Sequence, residues 1–547
     1  MLIRSLAAIA GGLMYAAALP PVNIAVLGAL ALVPLILIAL DRRPAAAAFY
    51  GFLWGVAWAL PSFWFLREID PVVPYLMAPV LALWPLVWSA SIPFLWRSLA
   101  YSAKVRAAGA GAIAEASQKI PGWKLLAIAA VAAAWWIVLE FSRSTMLPWN
   151  NLSTTMWKND KLFFLASYAG QYATGFFLAF FSAALAFGIR FRLADKRIRA
   201  LPALLVLGML WSLAVIAADF RTRELAKVET FNVTIAAIQG DISQRRNADT
   251  REAEEALDIY LGLTRDLQFA VPPVLIVWPE TAVPYALKGN HPVSEKFRRG
   301  VRELLETKKV PMLIGSIDFR QLPKGTRDSY GVTNSALLLG PGPVELGRYD
   351  KIHRVPFGEY IPFRSLLPGF FVRMIDMNRD LFAGSDYSPL VIAPGVRAGI
   401  AICFESVFPY IAREEARRGA NLLLVISNDA WYPTSSEPEQ HLANARLRAL
   451  ETGLPVLRCG NNGGTLVITP AGRITEVLAT PGEGPGHLRR GRAAGVLTID
   501  VPKSPPMTFY TRYGEWLVVF CGLVVLAAFA SAVTSFVSEK KIIIRED

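Results

Sequence analysis

The sequence predicts a chain in two parts: an α-helical membrane bundle of eight spans, and an α/β layered domain carried outside it. Three observations point there. Of 547 residues, 54% are drawn from AVILMFWYC and 18% are charged, whereas soluble domains run near about 45–50% and about 25%. Mean hydropathy is +0.38. Finally, long apolar stretches crowd the first 219 residues and the last 35, while the segment between them changes to short apolar runs alternating with amphipathic ones. The high apolar fraction excludes global disorder, and three cysteines exclude a disulfide scaffold.

A helical span needs about 20 mostly apolar residues. Eight stretches qualify, near Leu2–Leu19, Val22–Leu40, Ala45–Leu66, Val72–Trp96, Trp123–Phe141, Leu162–Ile189, Ala200–Ala218 and Glu515–Phe536. Arg4 ahead of a run ending in small residues would also suit a signal peptide. A second apolar stretch follows at once, however, so the first two read as a hairpin turned at Pro20 and Pro21. Basic residues fall after the second stretch (Arg42, Arg43), the fourth (Arg97, Lys104, Arg106, Lys119), the sixth (Arg190, Arg192, Lys196, Arg197, Arg199) and the eighth (Lys540, Lys541, Arg545). The positive-inside rule makes these loops and both termini cytoplasmic. The long segment then lies outside, which in a bacterium is the periplasm.

Within that segment, Asn232–Ile238, Val274–Trp278, Met312–Ile317, Ser335–Leu339, Gly399–Cys403 and Asn421–Ser427 read as buried strands. Asp249–Ala270, Pro292–Thr307, Val407–Arg418 and His441–Thr452 read as helices. Strand–helix alternation implies a layered α/β domain. The expected division is 1–219 for a bundle of seven spans, 220–512 for the external domain, and 513–547 for a final span with a short cytoplasmic tail.

The formal charge of +13 is topological rather than a nucleic-acid footprint. Its basic residues sit between apolar stretches, and no nucleic-acid-binding motif accompanies them. None of His291, His353, His441 and His487 begins an H-E-x-x-H pair. There is also no C-x-x-C, phosphate-binding loop or G-x-S-x-G elbow. No metal or cofactor is expected.

Polar residues at the ends of apolar strands remain. Glu280 follows Val274–Pro279, Lys351 follows Tyr349-Asp350, and Cys403 with Glu405 follows Ala401-Ile402. Strand ends are where layered α/β folds gather a site. Taken singly, a cysteine in an apolar strand is a small buried hydrophobe, and a Glu or Lys at a strand end is a solvated charge. Together they make a nucleophile that works as thiolate, a carboxylate to take its proton, and an ammonium to stabilise a tetrahedral oxyanion.

The W-P-E-T around Glu280, Lys351 downstream, and the C-F-E around Cys403 resemble the Glu-Lys-Cys triad of the nitrilase superfamily. Within it, Val355-Pro356-Phe357-Gly358-Glu359-Tyr360-Ile361-Pro362 and Ser427-Asn428-Asp429-Ala430-Trp431-Tyr432 resemble the apolipoprotein N-acyltransferase family. So do Glu439-Gln440-His441-Leu442 and Arg446–Gly453. The resemblance spans the chain, since that family has seven spans, a periplasmic nitrilase-like domain and a last span. It implies an α-β-β-α sandwich outside the membrane. It makes Glu280 the general base, Lys351 the oxyanion stabiliser and Cys403 the nucleophile. Glu359 and Glu405 match further carboxylates of the family, Phe404 stands where relatives often have Tyr, and Trp149 matches a functional tryptophan. Trp431 is a further substrate-binding candidate. After Gln239–Ile242, relatives often place a Trp where this chain reads Ser243–Ala248.

The implied reaction moves an acyl chain from a phospholipid to Cys403, and then to the α-amine of a diacylglyceryl-cysteine on a lipoprotein. Its partners are therefore phospholipid, apolipoprotein and bilayer, with no nucleic acid. A membrane-anchored amidase would use the same triad, but one anchoring helix would suffice. A transporter would carry ionisable groups in mid-span, whereas Glu140 lies near an outer end. Ser365–Ile375 is an apolar run broken by Pro368-Gly369, and it lies between Lys351 and Cys403. This suits a lid touching lipid through Phe370 and Phe371.

Overall fold

The computed structural model describes residues 1–192, 200–243, 250–321, 330–342, 344–366, 368–369, 380–480, 488 and 490–546. They form two compact units, Met1–Thr222 with Tyr513–Asp547, and Arg223–Arg512.

The first unit is helical. Among the described residues, five helices are long and apolar enough to cross a membrane: Pro44–Ser62, Val73–Ala100, Gly122–Ser144, Gln171–Arg190 and Trp516–Ile544. Two expected spans fold as shorter pieces. The first is Leu2–Ala18, of 17 residues, and the second is split into Val26–Leu30 and Val33–Ala39, with Pro34 opening the latter. The expected sixth span starts later than its apolar run, at Gln171, because Gly170 (φ +68°) ends the turn Ala166–Ala169. The expected seventh falls on a helix at Ala200–Leu225. Close helix packing relies on small residues. A Cβ on Gly51 would lie 1.9 Å from Ser89 Oγ and 2.5 Å from the Pro85 carbonyl. Trp54, Trp88 and Trp136 fill the interior edge to face, with centroids 5.3–5.8 Å apart.

The second unit holds twelve strands: β1 Thr230–Gln239, β2 Leu275–Val283, β3 Met312–Gln321, β4 Tyr330–Gly340, β5 Val344–Asp350, β6 Leu390–Ala393, β7 Val396–Ile402, β8 Leu422–Ser427, β9 Val456–Gly460, β10 Leu466–Ile468, β11 Ile474–Val477 and β12 Ala493–Pro502. They make two six-stranded sheets, ordered β12-β1-β2-β3-β4-β5 and β11-β10-β9-β8-β7-β6. Each has a parallel centre, β1-β2-β3 and β7-β8-β9, flanked by antiparallel edges.

Period-two alternation builds the layers. Ile235, Ala237, Val277 and Leu313 of the first sheet meet Ile400, Ile402, Leu424, Ile426 and Leu457 of the second in one buried core. The intervening Ala236, Ile238, Ile276, Trp278, Met312 and Ile314 turn outward. There they pack on Leu257, Tyr260 and Leu261 of helix Thr250–Asp266 and on Phe297, Val301 and Leu304 of helix Pro292–Lys308. Helices Pro409–Arg417 and Glu437–Thr452 pack against β7 and β9. The result is a helix–sheet–sheet–helix sandwich.

One glycine fixes the spacing beside the part of β2 that carries Glu280. A Cβ on Gly315 of β3 would lie 2.2 Å from the Pro279 carbonyl and 2.7 Å from Glu280 Cα. Backbone has to move to admit it, and overpacking of this kind costs about 1–3 kcal/mol. Gly315→Ala should lower the thermal unfolding midpoint of the purified chain and displace Glu280. An unchanged midpoint with full activity would contradict the tight approach.

Candidate active site

Three strands bring the sequence-marked residues together: Lys351 and Cys403 lie just past β5 and β7, whereas β2 runs on to Val283, beyond its expected end at Trp278, and carries Glu280 within it. Glu280 sits where the register of β2 against β3 shifts between Trp278 and Val283. A bulge of this kind re-aims a side chain, and Thr281 beside it takes φ +44°. Lys351 is the first residue past β5, its N–H held by the Asn334 carbonyl at 2.8 Å. Cys403 leaves the carboxyl end of β7 and opens the 3-10 turn Cys403–Val407 with φ +55°. Left-handed backbone at a non-glycine residue is strain held by its surroundings, and it collects at functional sites.

The centre of the site is one ammonium between two carboxylates. Lys351 Nζ lies 3.3 Å from Glu280 Oε1 and 2.9 Å from Glu359 Oε1, with Lys351 only 1% exposed. Asn334 Nδ2 donates to the same two oxygens at 2.8 and 3.0 Å. The second oxygens are also met: Asn428 N–H donates to Glu280 Oε2 at 3.1 Å, and Val355 N–H to Glu359 Oε2 at 2.8 Å. Burial opposes the charge of Lys351, but Glu359 and Glu280 outweigh it and keep the ammonium protonated well above its ordinary range. Burial pushes the Cys403 thiol up, Glu280 adds to this, and the Lys351 charge pulls it down. The net rise means that Cys403 rests as thiol and needs a base at the moment of attack.

Glu405 ties the two loops together. Its Oε1 accepts from Tyr349 O–H at 2.9 Å, Ile352 N–H at 2.7 Å and His353 N–H at 3.0 Å, while Oε2 accepts from Ile402 N–H at 2.8 Å. The segment after Lys351 is thereby fixed to the residue before Cys403. Burial raises the Glu405 carboxyl to about 7, against the pull of its backbone donors. Burial and the nearby Lys351 charge lower His353 to about 4.

The other sequence candidates divide. Phe404 packs edge to face on Phe408 at 5.1 Å, beside the thiol. Trp431, 37% exposed, ends the turn Asp429–Trp431 that begins next to Asn428. Trp149 belongs to the helical unit, buried against Phe65, with its carbonyl accepting from Arg143 Nη1 at 2.7 Å. Phe370 and Phe371 lie outside the described residues, as do 244–249 of the divergent loop. Cys459 is free and buried, its thiol raised to about 12 by burial, and Cys403 is also free.

Sequence reasoning gave no role to Asn334, Asn428, Asp429, His441 or Arg458. The available signal was polarity inside apolar strands: Asn334 within β4 and Arg458 within β9 are 4% and 0% exposed. Asp429, Glu437 and His441 lie close enough to hold a cation, but Arg458 Nη2 already pairs with Asp429 Oδ2.

The raised Glu405 carboxyl has a measurable sign. Between about 4.5 and about 7 the folded unit keeps a proton that the unfolded chain releases. The associated stability is full below that window and is lost as pH rises through about 7, amounting to at most about 3 kcal/mol. Over the same window, the unfolding midpoint of the wild type should fall relative to that of Glu405→Gln. Parallel midpoints would show that Glu405 does not titrate there.

The chain is also similar to known proteins. The carbon-nitrogen hydrolase family matches residues 234–488, and the apolipoprotein N-acyltransferase N-terminal domain matches residues 11–184. The apolipoprotein N-acyltransferase of Geobacter metallireducens is 31% identical over 530 residues, covering 96% of this chain and 95% of its own. That of Azotobacter vinelandii is 34% identical over 73% of this chain and 72% of its own. That of Shewanella oneidensis is 29% identical over 72% of each. A carbon-nitrogen hydrolase unit and an N-acyltransferase N-terminal unit thus occur in one chain, and the chain belongs to the apolipoprotein N-acyltransferase family.

Proposed function

We propose that the chain transfers an acyl group from a membrane phospholipid to the free α-amine of an apolipoprotein's N-terminal diacylglyceryl-cysteine, through a thioester on Cys403. The buried Lys351 ammonium held by Glu280 and Glu359, in one site with the strained Cys403, supports the thioester chemistry, and the observation that carries the transferase reading is the match to apolipoprotein N-acyltransferases over 96% of the chain.

In the first half-reaction Glu280 takes the thiol proton as Cys403 Sγ adds to the ester carbonyl carbon. The oxyanion forms against the Lys351 ammonium, a charge in place before it is needed. Collapse breaks the carbon–oxygen bond. The leaving glycerol oxygen takes the proton from Glu280, and lysophospholipid departs. In the second half-reaction the lipoprotein α-amine adds to the thioester carbonyl and gives a proton to Glu280. The cysteine sulfur leaves and regains that proton, and the product is an amide. Glu359 and Asn334 hold Lys351 and Glu280 throughout.

Both substrates are lipids, which fits a site carried on a helical membrane unit. We read that unit as eight spans in an inner membrane. Both termini and the basic loops are cytoplasmic, and 220–512 is the periplasmic catalytic part. The five long apolar helices and the distribution of Lys and Arg support this. Trp149, Trp431, Phe370 and Phe371 are the proposed substrate-binding residues.

Cys403→Ala should abolish acyl-enzyme formation, and Cys403→Ser should be nearly inactive, since an alkoxide is far more basic than a thiolate. Substantial turnover by Cys403→Ala would remove Cys403 as nucleophile.

The transferase and hydrolase readings separate kinetically. Phospholipid alone should release one equivalent of lysophospholipid per enzyme and then stall. A diacylated lipopeptide with a free amine should restart release. Continuous fatty-acid release without an amine would favour an amidase or hydrolase.

A further inference from the structure

Behind the nucleophile runs a buried polar chain that the reaction scheme does not use. His441, on helix Glu437–Thr452, is 0% exposed. Its Nε2 lies 3.0 Å from the Cys403 carbonyl oxygen and 2.7 Å from Ser406 Oγ. Its Nδ1 lies 3.1 Å from Asp429 Oδ1 and 3.6 Å from Glu437 Oε1. Asp429 is held in turn by Arg458 through its other oxygen and by the Ser427 hydroxyl. Burial would raise the Asp429 carboxyl, but the Arg458 charge and the hydrogen bonds from His441 and Ser427 overcome it and hold it below the usual carboxylate range.

A carbonyl oxygen accepts hydrogen bonds and cannot donate. Nε2 therefore faces the Cys403 carbonyl favourably only as N–H, with the Ser406 hydroxyl as a second acceptor. That carbonyl belongs to the peptide following Cys403, so holding its oxygen fixes the backbone on one side of the nucleophile. Glu405 fixes the other side through Ile402 N–H. Between these two anchors Cys403 keeps its left-handed φ of +55°.

We propose that His441 is a positioning residue for the nucleophile: its Nε2–H holds the Cys403 carbonyl, with Asp429, Glu437 and Arg458 fixing the ring, so that Sγ stays aimed between Glu280 and Lys351. This rests on the reading of Cys403 as nucleophile. His441 and the Asp429 and Glu437 carboxylates are also spaced for a cation, but the Arg458 guanidinium already supplies positive charge to Asp429. The cluster serves as a clamp, not a metal centre.

Two amide variants separate the two ends of the ring. The amide nitrogen of His441→Asn superposes on Nδ1, keeping the bond to Asp429 and losing the one to Cys403. That of His441→Gln superposes on Nε2 and keeps donation to the Cys403 carbonyl. The test measures single-turnover acylation of the full-length purified chain by phospholipid in mixed micelles, together with KM, thermal midpoint and zinc content. His441→Asn should acylate more slowly by on the order of 10²-fold, the cost of a small misplacement of a reacting group, with KM within about twofold of wild type. His441→Gln should recover most of that loss. Equal rates for the two variants, or rates that merely follow their thermal midpoints, would overturn the proposal. So would one zinc per chain that His441→Asn releases, because His441 would then be a ligand. Cys403→Ala run in parallel tells the failures apart: if it still acylates, the nucleophile assignment falls and not only the role of His441.

Discussion

The site depends on placing a lysine charge where water cannot reach it. An unpaired buried ammonium would lose several kcal/mol of hydration. Lys351 avoids that loss through two carboxylates, and each carboxylate oxygen has a donor of its own. This requirement explains much of the local architecture. Asn334 is a polar residue in a buried strand because both Glu280 and Glu359 need its amide. The turn that carries Glu359 bends back so that Val355 N–H can reach Oε2. Gly315 is bare because Glu280 has to approach β3 so closely. Removing either carboxylate would leave the other components charged, buried and unmatched.

That arrangement also sets the chemistry. Burial raises the thiol, and Glu280, one of the two carboxylates that keep Lys351 charged, adds to the rise; in the proposed mechanism the cysteine therefore stays unreactive until a substrate carbonyl arrives and Glu280 acts as base. In the proposed mechanism the fixed ammonium then stabilises an oxyanion without reorganising at the moment of reaction. Glu405 has a different task. It touches no reacting group in this scheme, yet it binds the Lys351 loop to the start of the cysteine turn, so the distance between two elements of the triad rests on one carboxyl group.

Much of this was legible in the sequence, for physical reasons. The four outer helices announce themselves by amphipathic period, and β1, β2, β3, β4, β7 and β8 by continuous apolar runs, because strands buried on both faces cannot afford polar residues. Glu280, Lys351 and Cys403 stood out as charges or a nucleophile directly after such runs. The strands β5, β6, β10, β11 and β12 were invisible: they are short, or carry Glu, Arg and Asp, as in Val344–Asp350. β9 was hidden by Arg458, which reads as solvated in sequence and is wholly buried in the fold. Asn428 contributes through its backbone N–H, which no side-chain pattern encodes. In the helical unit, apolar length overstated helix length where Gly170 and the break before Val33 interrupt it.

The central claim is that Cys403 carries the acyl group between two lipids. Mass spectrometry of the full-length chain, incubated with a phospholipid of defined acyl composition and no amine acceptor, tests it most directly. The account predicts a single acyl increment on the peptide containing Cys403, removable by neutral hydroxylamine as a thioester and absent when Glu280 is changed to Gln. An increment on any other residue, or turnover with Cys403 unmodified at every time point, would contradict it.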